Sequence, residues 1–139
     1  MSAAWVYYQR MGIFNRGPKL SPSEKIRAKA SKAGVDLTSA WGVGHQFVGG
    51  QDMYLGVFPD RVEVHRGKRA GSLTGSGEGV DVYPVGGITS AHLTSSGHWW
   101  VLTFTADGVV VNFRGGELDM KDAHQALLKA MQEFQATRR

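Results

Sequence analysis

The stretch HWWVLTFTADGVVVNFRGG, residues 98–116, decides the fold. Two runs of β-branched and aromatic residues flank the pair Asp107-Gly108, and Asp-Gly is a favoured type I′ turn whose twist matches that of the strands it joins. The stretch is therefore a hairpin. Alternation then assigns faces. Trp100, Leu102 and Phe104 point one way, Trp99, Val101 and Thr103 the other, and Val109, Val111 and Phe113 share a face on the return strand.

The same period of two runs upstream. QDMYLGVF (51–58) sets Met53, Leu55 and Val57 against Tyr54 and Phe58, and after a turn at Pro59-Asp60 the run RVEVHR (61–66) alternates Val62 and Val64 with Glu63 and His65. VDVYPV (80–85) and ITSAHLTS (88–95) read as two more strands meeting at the bend Gly86-Gly87. Between these blocks GKRAGSLTGSGEG (67–79) carries five glycines and almost nothing apolar, which reads as a loop.

Both flanks are helical. Ser21-Pro22-Ser23-Glu24 combines an N-cap hydroxyl, a proline suited to the first helical turn and the glutamate of a capping box, so a helix starts there and stops at Gly34. Its apolar stripe, Ile26, Ala30 and Ala33, is thin, which predicts a mostly wetted surface helix. At the other end Asp119 is the expected N-cap, with Asp122 in the first turn. Leu127, Met131 and Phe134, with Ala123, Leu128 and Ala130 alongside, make a broad apolar face that must be buried.

Length and composition set the outer bounds. A chain of 139 residues is the size of one domain with an extension and can bury a real core. Cysteine is absent, which excludes disulfides, thiolate catalysis and cysteine-held zinc and is compatible with a reducing compartment. Gln9 and Arg10 interrupt the apolar start, and no later stretch is long enough to span a membrane, so the expectation is a soluble, cytoplasmic protein. Residues 1–20 read as an N-terminal extension, with Met11 an alternative start, residues 21–34 as a basic helix, and residues 41–139 as the main domain. Charge follows this division: residues 1–36 hold seven basic and two acidic side chains, a net of +5, whereas residues 37–139 hold nine and ten, a net of −1.

The order is a basic helix, about seven short antiparallel strands and one amphipathic C-terminal helix, a mainly β, α+β chain. It resembles the small pleckstrin-homology-like (PH-like) domains of bacteria and their phages. The likeness rests on YLGVFPDRVEVHRG (54–67), YPVGGITSAHL (83–93), WWVLTFTADGVVVNF (99–113) and the helix 119–135. It implies a strongly bent, barrel-like sheet plugged at one end by the C-terminal helix. It also implies a binding module rather than an enzyme: a phage product engaging a host protein.

The residues offer few chemical signatures. Lipid-binding relatives gather cations around the first β-turn, but here that turn, Gly49-Gly50-Gln51-Asp52, has no base. Arg66, Lys68 and Arg69 at the rim of the glycine loop form a substitute anion site, against the simpler reading of a solvated loop base. GSGEG (75–79) matches neither dinucleotide nor phosphate-loop spacing. The five histidines lack metal-ligand spacing, although His65 and His92 could face each other across the sheet, and no cofactor or metal is implied. Serines show no nucleophile-elbow pattern, and the aspartates fall where turns and helix starts explain them.

Two binding hypotheses remain. Lys25, Lys29 and Lys32, spaced four and three apart with Arg27 nearby, could present a cationic face to membrane or nucleic-acid phosphates; without interleaved aromatics such binding would be salt-sensitive and non-specific. Alternatively Trp99, with Val101 on the same face, is an exposed anchor for a protein partner unless the N-terminal segment covers it.

Overall fold

In a computed structural model describing residues 21–68 and 78–138, the chain forms two antiparallel sheets and two α-helices. Helix α1 (Pro22–Lys32) precedes a four-stranded meander of β1 (Gly42–Val48), β2 (Gln51–Val57), β3 (Arg61–Arg66) and β4 (Gly79–Pro84). A single 3₁₀ turn at Val85–Gly87 leads to a three-stranded meander of β5 (Ile88–Ser96), β6 (Trp99–Ala106) and β7 (Val109–Gly115), and α2 (Glu117–Thr137) ends the chain.

Local chemistry explains the elements. The Ser21 hydroxyl accepts from the Glu24 N–H while the Glu24 carboxylate accepts from the Ser21 N–H, the expected reciprocal cap. Past the helix end Gly34 takes φ +83°, the left-handed conformation. The opening hairpin is as read: Asp107 and Gly108 both have positive φ, as a type I′ turn requires, and Trp100 to Ala106 pair with Gly115 to Val109 in one unbroken register.

The main core lies between the sheets. Leu55, Val57, Val62 and Val64 from β2 and β3 meet Leu102, Phe104 and Phe113 from β6 and β7, and Met120, Ala123 and Leu127 of α2 fill the end. Close approach of α2 to β1 depends on two missing side chains. A Cβ at Gly42 would sit 2.8 Å from the Ala123 Cα, and one at Gly44 would sit 2.5 Å from the Met120 methyl.

Several expectations are corrected. The strands form two separate sheets of four and three rather than one strongly bent, barrel-like sheet. Among the described residues no backbone ladder closes the gaps: Pro84, which lacks an N–H, and the 3₁₀ turn end β4 before β5 begins, and β1 meets β7 through the Gln46 side chain, which accepts from the Arg114 N–H at 3.0 Å. Helix α1 keeps the mostly exposed surface its thin stripe predicts, with Ala30 its buried residue. It lies over the outer face of β1 and β2, where Ala30, Leu37, Ala40, Val43, Tyr54 and Phe58 make a second core. Tyr54 and Phe58 are therefore buried on the face opposite Leu55, and β2 is apolar on both sides because both are covered. Ala33 is exposed, and Arg27 takes the inner position instead, its guanidinium donating to the Leu37 carbonyl.

At the C-terminus the cap is Gly116, not Asp119. The helix starts at Glu117, so Asp119 lies within the first turn, where its charge still meets the helix dipole. Leu128 is exposed because it lies on the flank of the helix, outside the stripe formed by Met120, Ala123, Leu127 and Ala130, and Phe134 is only half-buried, its ring against Gly86. His65 and His92 do not face each other: they belong to different sheets, and His65 pairs with Glu63 at 2.8 Å. The expected loop (67–79) and extension (1–20) lie largely and wholly outside the described residues, as does Met11.

Candidate binding surface

The outer face of the three-stranded sheet follows from the hairpin's register. Residues opposite the core positions of β6 are Trp99, Val101, Thr103 and Thr105. They meet Thr94 and Ser96 on β5 and Arg114 and Asn112 on β7. Hydroxyl and amide groups knit this face: Thr103 donates to the Asn112 side-chain carbonyl at 2.6 Å, and Ser90 to Thr105 at 3.3 Å. At its end Trp99 stands 46% exposed, while its neighbour Trp100 turns inward against the core.

Arg114 organises this end. Its guanidinium carbon lies 5.1 Å from the Trp99 ring centroid, a cation–π distance, and its Nη2 donates to the Phe47 carbonyl at 3.4 Å. Phe47 is 56% exposed and Val48 43%. A guanidinium thus joins the end of β1 to an aromatic ring on β6, with apolar surface on both sides. Val101, directly across from Arg114, is half-buried beneath this cluster. Helix α1 does not cover it, because α1 packs on the other sheet.

Sequence reading finds Trp99 and Val101 but not Arg114 or Phe47. Arg114 is recoverable in principle: counting back from the Asp107-Gly108 turn places it opposite Val101 and diagonal to Trp99. Phe47 is not recoverable, since it comes to Arg114 across 67 residues through the corner between the sheets.

The cationic candidates are spread out. Lys25, Lys29 and Lys32 are all exposed on α1, on the side away from its buried face, but Lys29 Nζ lies 3.7 Å from the Asp52 carboxylate, which also takes His45 at 2.6 Å. Arg66 is half-buried, with Nε 3.3 Å from Asp81 across the β3–β4 pair. Lys68 is exposed, and Arg69 lies outside the described residues. The first β-turn narrows to Gly49-Gly50, because Gln51 is buried as the first residue of β2 and donates to the Gly67 carbonyl at 2.7 Å.

Among the described residues no three His, Asp or Glu side chains come together as a metal-binding group, and no helix is long and apolar enough to cross a membrane. The chain matches no protein-family model and no curated protein.

Proposed function

We propose that this chain is a non-enzymatic, PH-like binding module that holds another protein on the surface around Trp99. The observation that carries the reading is an exposed tryptophan with an arginine against its ring, that arginine also held by the backbone carbonyl of the exposed Phe47. Tryptophan and arginine dominate the energetic centres of protein interfaces because each removes a large, preorganised surface from water while offering a donor. The PH-like assignment is supported by the chain order of four strands, then three, then a helix packed across the open end of the core. The family likeness points to a phage product acting on a host protein in the cytoplasm.

A second reading, an anion binder, draws on Lys25, Lys29 and Lys32, which share one exposed side of α1. One experiment separates the two. Bacterial lysate is passed over immobilised wild type, Trp99→Ala and the triple reversal of Lys25, Lys29 and Lys32 to Glu, with anionic liposomes and DNA tested in parallel at low and high salt. The expected result is a protein retained by wild type and by the lysine reversal but lost with Trp99→Ala, a deficit of about 2 kcal/mol or roughly thirtyfold in affinity. Retention of the same protein by Trp99→Ala, or salt-sensitive lipid or DNA binding lost only in the lysine reversal, would replace this reading with the second.

A further inference from the structure

A cleft of about 390 Å³ opens where α1, the start of β1 and α2 meet. Its walls carry charges of both signs: Arg27 from α1, and Asp119, Asp122 and Lys129 from one flank of α2, with Trp41 on the β1 side. The convergence is built from features already described. The absent side chain of Gly42 lets β1 press against Ala123, which sets the Trp41 ring under Lys129, 4.4 Å from its ammonium. Arg27 also donates to the Leu37 carbonyl, which fixes its side chain.

These charges do not neutralise one another. Among the described residues neither aspartate has Arg27 or Lys129 within the 4 Å of an ion pair, whereas a turn away on the same helix Lys121 and Glu117 close to 2.6 Å. Asp119 and Asp122 lie toward one end of this flank of α2 and Lys129 about two turns further on, with Arg27 entering from α1. Burial, and after it the nearby Asp122 charge, push the Asp119 carboxyl above its usual value.

We propose that the cleft binds a small zwitterion of amino-acid size, its ammonium against Asp119 and Asp122, its carboxylate against Arg27 and Lys129, and its body along Trp41. Charge favours this class of ligand: an anion would meet two carboxylates and a cation an arginine and a lysine, whereas a zwitterion can meet both. The volume falls within the range of small-molecule sites. The cleft shares no residue with the Trp99 surface, so the two proposals stand separately.

The test titrates the full chain with each proteinogenic amino acid up to about 10 mM, a ceiling suited to weak metabolite sites, and follows the Trp41 indole signal by NMR, identified with Trp41→Phe. Each amino acid is compared with its N-acetyl and C-amide derivatives, which each lack one charge. At least one free amino acid should shift the signal saturably, and both of its derivatives should bind at least about tenfold more weakly, as expected when a charged hydrogen-bonding partner is lost. Asp122→Asn and Lys129→Met, both at exposed positions, should weaken binding by a similar factor, while Asp122→Glu should restore it and Leu128→Ala leave it unchanged. No shift with any free amino acid overturns the proposal. So does a derivative that binds as tightly as its parent, or unchanged affinity in both charge variants.

Discussion

Replacing Leu127 by alanine tests whether α2 is part of the core or an appendage. The Leu127 side chain is fully buried among residues of both sheets, within the cluster that includes Leu55, Leu102, Phe104 and Phe113. Leu127→Ala removes about three carbon groups from that site at roughly 0.8 kcal/mol each, and a cavity the rigid sheets cannot close raises the total toward 3 to 5 kcal/mol. For a chain of 139 residues an unfolding entropy of about 2.1 cal/mol/K per residue turns about 3 kcal/mol into a melting-point drop of roughly 10 °C. Calorimetry beside Leu128→Ala supplies the control, because Leu128 is one residue away but exposed on the flank of the same helix. Leu128→Ala should change the melting point by no more than about 2 °C. If the two variants melt together, α2 does not close the core and the architecture argued above fails.

Three further outcomes follow from particular contacts. Gly42→Ala would place a methyl 2.8 Å from the backbone of Ala123 and should cost about 1 to 3 kcal/mol in urea unfolding. Gly44→Ala meets the movable end of Met120 and should cost less, so a reversed order would contradict the packing of β1 on α2. Burial alone would raise the Glu63 carboxyl, but the hydrogen bonds from His65 and Arg61 outweigh it and hold the group below its usual 4.5. Its folded value being depressed, its stabilisation is complete above about pH 4.5 and is lost as the pH falls through the folded value. Glu63→Gln should therefore flatten the acid loss of stability in that window, and identical pH profiles for the two proteins would show that the Arg61–Glu63–His65 row contributes nothing. Asp107→Val forces a β-branched residue to φ +50° and should cost about 1 to 2 kcal/mol by chemical denaturation, whereas Asp107→Gly should be nearly neutral.

The parts of the fold legible in sequence are those whose cause is local. The hairpin at Asp107-Gly108 and the capping box at Ser21 each rest on residues a few positions apart, and each is found where the pattern puts it; of the face read for α2, Ala123, Leu127 and Ala130 are buried. What local pattern does not record is burial from the second side. β2 is apolar on both faces because α1 and residues 35–40 cover Tyr54 and the adjoining Phe58, while α1 itself stays the largely exposed helix its thin stripe predicts. The choice of Asp119 as cap failed for a related reason: Gly116 can end β7 and start α2 by backbone conformation alone, without an identifying side chain. At the candidate surface Trp99 was legible from alternation, since a side chain opposite the core positions must face out.

By itself, then, the sequence determined the two helices, six of the seven strands, the inward and outward faces of the hairpin around Asp107-Gly108 and the location of the excess positive charge, because these depend on periodicity, turn geometry and composition. Only tertiary structure decided that the seven strands divide into sheets of four and three, that Arg114 brings Phe47 to Trp99, and that Arg27 and Trp41 share a cleft with Asp119, Asp122 and Lys129. Those juxtapositions join residues up to about a hundred positions apart. They are set by how two sheets and two helices pack to exclude water, a non-directional force that no local pattern records.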